Sequence, residues 1–136
     1  MTTPTVLPHV DAVTAALEGA GLTVYLGGAP QDVSPTDSEP FVVLYPEPGR
    51  PQAASLADDR TAFSAVVQLT CVALRADQAL WVSDRSAAAL STVLAVAGRV
   101  SWKPESLDGQ PVKRDDDVTP PCYYAVSRWR LRSIPQ

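Results

Sequence analysis

The sequence contains little of the chemistry on which most enzymes and metal proteins depend. Its 136 residues include one histidine, His9, and two cysteines, Cys71 and Cys122. One histidine cannot supply a multi-histidine metal site, and no G-x-S-x-G pattern offers a nucleophile for it to activate. We interpret His9 as a surface residue at the start of a helix. The sequence therefore predicts no catalytic residue, no cofactor and no bound metal, and it favours a protein that is not an enzyme.

The two cysteines lack the C-x-x-C spacing of redox and zinc sites. Both fall in or beside predicted strands. Free buried thiols are the main interpretation, because isolated cysteine pairs are usually reduced inside cells. A disulfide between neighbouring strands stays open, since the sequence does not say whether the two positions face each other.

Other absences narrow the class of protein further. No apolar run approaches 18 residues, so we expect no transmembrane helix and no membrane partner. Residues 1–5 lack a basic n-region followed by an apolar h-region, so we expect no signal peptide. The net charge of −4 argues against a general nucleic-acid binder. With 46% hydrophobic and 19% charged residues, the chain is predicted to form one globular domain over residues 1–136.

Two short motifs invite a functional interpretation that their spacing does not support. Gly27-Gly28 lacks the third glycine and the strand-to-helix setting of a phosphate-binding loop, so we interpret it as a turn. Asp115, Asp116 and Asp117 lack the spaced ligands and the glycine of a calcium loop. We interpret this run as a solvated loop that meets a basic partner.

Hydrophobic periodicity predicts an α+β fold. Spacings of three and four predict a helix, and β-branched or alternating runs predict strands. Helices are expected at 8–20 and 76–97, and strands at 22–26, 41–45, 61–73 and 122–134, with shorter pairing near 100–102 and 112–114. This order favours one mostly antiparallel sheet of four or five strands with two helices packed on one face.

A long connection follows the second strand, and two tryptophans lie elsewhere in the chain. Residues 46–60, which include Glu47, Arg50 and Arg60, are predicted to form a loop projecting past the sheet edge, since loops of this length are often functional. Trp81 and Trp102 are expected to pack in the core, because their large apolar area dominates their behaviour.

The C-terminal strand carries the most conspicuous pattern. Alternate side chains of a strand point to opposite faces. One face holds apolar residues suited to the core: Tyr123, Ala125, Ser127, Trp129 and Leu131. The other holds Tyr124 and Val126 followed by a row of Arg128, Arg130 and Arg132. This row is either a solvated strand face or an interface that pairs with carboxylates of another subunit or with phosphates.

The layout as a whole resembles the tail-terminator proteins of long-tailed bacteriophages, also called tail-completion or minor tail proteins. The resemblance is carried by the helix at 10–20, Gly21-Leu22-Thr23-Val24-Tyr25, Pro40-Phe41-Val42-Val43-Leu44, the long loop, 66–73 with the helix after it, and the strand at 123–132 that follows an acidic loop. It covers residues 8–134 and includes no invariant motif. It therefore transfers an architecture and no functional residue.

The resemblance implies a structural virion protein. Its members are α+β domains that form a hexameric ring, cap the tail tube and join the tail to the neck and head connector. By that resemblance the partners are other copies, the tube protein and neck proteins, with DNA only as passing cargo. The location is the head-tail junction of the virion, after assembly in the host cytoplasm.

Under this resemblance the arginine row gains a partner. In a ring, one contact between different surfaces repeats around an axis. Arg128, Arg130 and Arg132 would then meet acidic residues of the next subunit, namely Asp58, Asp59, Asp115, Asp116 and Asp117, or else face the channel. The protein contact is favoured, because strong phosphate binding would retain passing DNA.

Two other functions stay open on the sequence alone. One is a head-closure or head-tail adaptor protein of the neck, which shares the ring but contacts the portal side. The other is a small-molecule-binding regulatory α+β domain, which would contain a defined apolar pocket and remain a monomer or dimer. Oligomeric mass distinguishes the second from a ring.

Overall fold

The computed structural model describes residues 4–36, 38–52 and 61–136. Two helices and seven strands lie in these ranges. In chain order they are α1 (Leu7–Gly19), β1 (Thr23–Leu26), β2 (Phe41–Pro46), β3 (Arg50–Gln52), β4 (Ala62–Ala73), α2 (Ala76–Ala89), β5 (Arg99–Ser101), β6 (Glu105–Asp115) and β7 (Cys122–Pro135). Neither of these two helices is long and apolar enough to cross a membrane.

The strands form one mixed sheet. Its order is β1-β2-β4-β7-β5, with β3 also paired to β4 and β6 also paired to β7. β1 runs parallel to β2, and the other pairs are antiparallel. The class α+β is therefore confirmed, but the described sheet has seven strands and not four or five. Strand β3 lies within the loop predicted at 46–60, and β6 extends well beyond the short pairing predicted near 112–114.

The two long central strands, β4 and β7, divide their side chains between two faces. Burial alternates residue by residue along β4, and Ala125, Trp129 and Leu131 of β7 are buried on the same face. Leu17 of α1 and Val82 of α2 join this cluster. Both helices thus pack on one face, as predicted. Burying a side chain of this size contributes roughly 1.5–3 kcal/mol.

The second helix is shorter than predicted. It ends at Ala89 and does not continue to residue 97. Beyond it Leu94 and Val96 are buried while Val93 is exposed, which is the alternation of an extended segment. Leu90 and Leu94 are four residues apart, a spacing that also fits a helix. The hydrophobic pattern therefore predicted a helix that continues beyond its true end.

The described part of the long connection after β2 belongs to the sheet and does not project. The Glu47 N–H donates to the Val66 carbonyl at 2.9 Å, and Arg50 lies opposite Ser64. The chain therefore follows β4 beyond the end of β2. The expectation that Glu47 and Arg50 project is corrected, whereas Arg60 lies outside the described residues.

Prolines and a glycine shape this bend. Pro48 and Pro51 obscured the strand in the sequence because proline cannot donate to a ladder, yet an edge strand tolerates it. Gly49 between them has φ +80°. A Cβ at this position would overlap the Phe63 ring and touch the Ala65 methyl group. The Phe63 and Ala65 side chains of β4 thus lie so close to Gly49 that they leave no room for a Cβ atom.

Strand β6 is much longer than the pairing predicted near 112–114. β6 pairs with β7 from Glu105 to Asp115, with one register shift between Ser106 and Gly109 and a second between Gln110 and Lys113. Most of its residues are exposed. An exposed, shifted strand has no regular apolar alternation, which is why the sequence indicated only short pairing here.

The second face of the sheet is covered at one end. Val33 and Pro35, from the segment between β1 and β2, and Val118 and Pro120, from the β6–β7 turn, line one depression on this face. Its floor is formed by apolar strand residues that include Phe41, Val43 and Val72. The remainder of this face, toward β3 and the end of β7, is half-exposed.

The two cysteines are on opposite faces of the sheet. Cys71 lies opposite Ala125 in the core under the helices, whereas Cys122 lines the depression on the second face. Both are free thiols. Because their side chains point to opposite faces of the sheet, they cannot form a disulfide with each other. Burial raises the pKa of the Cys71 thiol to about 11, which keeps it protonated and unreactive at neutral pH.

Candidate functional site

A strip of charged side chains occupies the half-exposed part of the second face. Arg128, Arg130 and Arg132 alternate along β7 and share this face with the β4 residues opposite them. Arg50 of β3 lies opposite Ser64, which in turn lies opposite Arg132. Facing positions of paired strands share a face. Four guanidinium groups and three nearby carboxylates form what we call the charged strip: Arg50, Arg128, Arg130, Arg132, Glu47, Glu105 and Asp108.

Arg128 is paired within its own chain. Its Nη1 atom is 3.4 Å from both carboxylate oxygens of Asp108, and its Nη2 atom is 3.8 Å from Glu47 Oε1. Asp108 from β6 and Glu47 from the bend after β2 therefore both pair with this guanidinium. Arg128 is the member of the predicted arginine row with the fewest open donors.

The other arginines have fewer counter-charges. Glu105 Oε2 is 3.5 Å from Arg130 Nη1 and 3.9 Å from Arg132 Nη2, so one carboxylate serves two guanidinium groups at long range. Arg50 forms no ion pair with any residue in the described ranges. The positive charge of the strip is consequently concentrated at its β3 end.

Replacing Arg128 by alanine is expected to lower the free energy of unfolding by less than about 1 kcal/mol, because exposed ion pairs contribute little. The Arg128 side chain is 40% exposed, and its partners are more exposed. Urea denaturation of the wild type and the variant at the same ionic strength measures the difference. A loss above about 2 kcal/mol would place Arg128 among the structural residues and contradict this interpretation.

The predicted acidic partners that the structure describes lie away from the arginine row. Asp115 Oδ1 accepts a hydrogen bond from the Asp117 backbone N–H at 3.0 Å, and Asp116 pairs with Arg114. These aspartates begin the β6–β7 turn beside Cys122, away from the arginine row. Asp58 and Asp59 lie outside the described residues. The contact with another copy stays a prediction.

One buried polar cluster was missed in the sequence. His9 is 2% exposed and stacks on Phe63, with ring centroids 4.3 Å apart. Its Nδ1 atom is 2.9 Å from the Thr5 carbonyl, and its Nε2 atom is 2.6 Å from Ser133 Oγ. The carbonyl can only accept, so Nδ1 carries the proton and Nε2 accepts from the serine hydroxyl. The expected surface position of His9 is therefore wrong.

Arg99 completes this cluster. Its Nε donates to Ser133 Oγ at 3.0 Å, and its Nη2 donates to the Thr61 carbonyl at 2.6 Å. Burial lowers the pKa of His9; the hydrogen bond to the Thr5 carbonyl opposes this shift, and the positive charge of Arg99 adds a smaller lowering effect. Ser133 is fully buried, so the histidine and serine are closed to a substrate and act as a structural link.

The sequence did contain a signal for this burial. His9, Val13 and Leu17 recur every fourth residue and share one helical face, but the predicted apolar stripe began at Val10. A polar residue on a core-facing stripe requires a partner, and that partner, Ser133, is 124 positions away. Only the fold brings the two together.

Two tryptophans expected in the core are on the surface. Trp81 is 52% and Trp102 55% exposed. The Arg85 guanidinium lies 5.2 Å from the Trp81 ring centroid, within the range of a cation–π contact.

In the described ranges no group of three His, Cys, Asp or Glu side chains is arranged to hold a metal ion. The charged strip, which gathers seven charged side chains on one partly exposed face, is the candidate functional site.

The chain has likenesses among solved structures. No protein-family model and no curated protein sequence matches the chain. Among solved structures, a chain in the virion of a native gene transfer agent particle is similar at 18% identity and a TM-score of 0.49. The match covers 90% of this chain and 84% of that one. At this score the likeness carries no weight for function.

Proposed function

We propose that this chain is a structural subunit of a phage-like virion, and not an enzyme. In this proposal copies of the chain associate into a ring, hexameric by the resemblance to tail-terminator proteins. The ring caps the tail tube and joins it to the neck at the head-tail junction. DNA passes through the ring and is not retained.

The observation that carries this proposal is the charged strip on the exposed half of a sheet face. Both signs of charge lie side by side there, and the strip follows the central strand β7, with members from β3, β6 and the bend after β2. Surfaces with complementary charges orient protein partners and select among them. A strip with alternating sign suits a repeated protein contact better than a phosphate backbone, which its carboxylates would repel.

The element order supports the same proposal. The resemblance rests on a short helix, two strands, a connection, a long strand, a second helix and a final long strand. The described chain has these elements as α1, β1, β2, β4, α2 and β7, in that order. The described elements thus follow the order on which the resemblance rests, which supports the proposal, while the ring and its place in a virion need experiments.

Mass measurement tests the ring directly. Light scattering after size-exclusion chromatography should give a mass near six copies of 14.5 kDa, or about 87 kDa, and negative-stain microscopy should show rings. Arg130→Glu should abolish the ring, because it places a carboxylate beside Glu105. Lys103→Glu is the matched control, since it makes the same charge change at an exposed site outside the strip. A wild-type monomer, or an intact Arg130→Glu ring, would contradict the proposal.

Particles that lack the protein test its place in assembly. Loss of a tail terminator should give overlong or unattached tails in electron micrographs. Loss of a head-closure protein should instead give heads that leak DNA. Normal tails on leaking heads would move the chain to the neck, whereas unchanged particles would remove it from the virion.

A further inference from the structure

We infer that the cleft at the β3 end of the charged strip is a carboxylate-binding site, and that its occupant is the aspartate turn of a second copy of this chain. The inference rests on the proposed function, because it names the contact through which a self-assembling subunit would bind its neighbour. It differs from the contact expected from the sequence in placing Arg50 at its centre, in leaving Arg128 out, and in selecting Asp117 among the acidic residues.

The cleft is a concave site of about 410 Å³ between the bend after β2 and strand β7. Arg50 and Arg130 line it together with Ser64, Glu47 and neighbouring backbone. Arg132 lies in the same cross-strand row as Ser64 and Arg50. Two strand spacings separate the Cα atoms of Arg50 and Arg132, or about 10 Å, so two long side chains can converge on one group with the serine hydroxyl between them.

The cleft contains more positive than negative charge. Arg50 has no ion-pair partner among the described residues, and Arg130 and Arg132 share one oxygen of Glu105 at 3.5 and 3.9 Å. The carboxylate of Glu47 lies toward Arg128. A guanidinium has five N–H donors, so most donors on this side of the strip are open. A bidentate acceptor would satisfy them.

The expected ligand is a carboxylate and not a nucleic-acid phosphate. A protein that binds DNA neutralises a run of phosphates with many cations. Here three carboxylates interrupt the four guanidinium groups, and the chain has a net charge of −4. A single protein carboxylate can enter between Glu47 and Glu105, whereas an extended polyanion would meet both.

The aspartate turn of the chain supplies such a group. Asp115 accepts from the backbone of Asp117, and Asp116 pairs with Arg114. Asp117 is exposed and forms no ion pair with a described residue. Among these three carboxylates it is the most available one, and the surrounding turn is acidic.

The turn cannot reach the cleft of its own chain. Asp115 lies opposite Cys122, ten positions before Arg132 on the same strand, which is about 33 Å in an extended chain. Electrostatic interactions in physiological salt decay over about 8 Å. The two ends of the strand are therefore independent within a chain, and they complement each other only between chains.

This separation gives the contact a direction. One copy presents its cleft and the next presents its turn, so the two surfaces differ. Contacts of this kind build rings or filaments and not closed two-fold dimers. The inferred pair is Arg50 and Asp117, with Arg130 and Arg132 in support, while Arg128 stays paired to Asp108 within its own chain.

Charge reversal on each side tests the pair. Arg50→Glu and Asp117→Arg, each made in the full chain, should weaken association by roughly tenfold or more, because close charge pairs across interfaces couple strongly. The double variant Arg50→Glu with Asp117→Arg restores opposite charges at every contact and should recover the wild-type mass. Lys103→Glu serves as the control for net charge, and circular dichroism confirms folding of each variant.

The outcomes separate this inference from the proposed function. Rings of wild-type mass that persist in both single variants, but not in Arg130→Glu, would overturn the pair of Arg50 and Asp117 and leave the ring. Single variants that dissociate without recovery in the double variant would overturn Asp117 as the partner. Arg50→Glu with unchanged mass but weaker retention on duplex DNA would assign the cleft to phosphate. A wild-type monomer at all concentrations would overturn both proposals.

Discussion

Gly49→Ala is expected to lower the free energy of unfolding by about 3 kcal/mol or more. A left-handed backbone costs a residue with a Cβ roughly 1–2 kcal/mol, and Gly49 has φ +80°. The added methyl group would also overlap the Phe63 ring, and overpacking of this kind typically costs about 1–3 kcal/mol. Chemical denaturation followed by circular dichroism measures the loss.

A second glycine separates the two causes. Gly27 has a similar φ of +76°, but a Cβ there has no atom within 4 Å. Gly27→Ala should therefore cost only the backbone term, about 1 kcal/mol. Phe63→Leu combined with Gly49→Ala should recover part of the loss if the ring is the obstacle. Equal effects of the two glycine variants would show that the close approach of the ring contributes nothing.

The stability of the protein is expected to fall as the pH decreases below about 6.5, the ordinary pKa of histidine. Burial lowers the pKa of His9 in the folded chain. Between the unfolded and the folded pKa, the unfolded chain therefore binds a proton that the folded chain does not. The contribution of His9 is fully present above pH 6.5 and is lost toward the folded pKa, with a slope of up to about 1.4 kcal/mol per pH unit.

The sequence makes this a clean measurement. His9 is the only histidine, and ordinary carboxylates titrate near pH 4. Unfolding free energies at several pH values between 7.5 and 5 should therefore decline in the wild type. His9→Gln removes the titration and should flatten the profile, although its stability at pH 7.5 should be about 2–3 kcal/mol lower through lost packing and hydrogen bonds. Parallel profiles would contradict the assignment.

The elements that pack against the core were predictable, because burial imposes a period on the sequence. Strand β4 alternates through Phe63, Val67 and Cys71, and its partner β7 alternates through Trp129 and Leu131. Both appear where the periodicity placed them. Elements that bury few side chains show no such hydrophobic period in the sequence. β3 contains a proline and was predicted as part of a loop, and β6 is mostly exposed, so only its short stretch near 112–114 was predicted to pair.

The candidate site was predictable only along the strand that contains it. Alternation placed Arg128, Arg130 and Arg132 on one face, which the register of β7 confirms. The addition of Arg50 to that face depends on the pairing of β3 with β4, and the carboxylate beside Arg130 comes from β6. Contacts between strands distant in sequence are fixed by register, which a single sequence with unrecognised strands does not reveal.

The irregular pairing of β6 opposes the addition of strands from other chains at this edge of the sheet. Open sheet edges template the addition of further strands and lead to fibrillar aggregation, and bulges, prolines and charges oppose this. β6 combines two register shifts with Pro111 and Lys113, and β1 at the opposite edge has only four residues. Backbone-mediated growth is thus discouraged at these borders. In the proposed ring, copies would therefore recognise one another through side chains, a mode of association that salt can reverse.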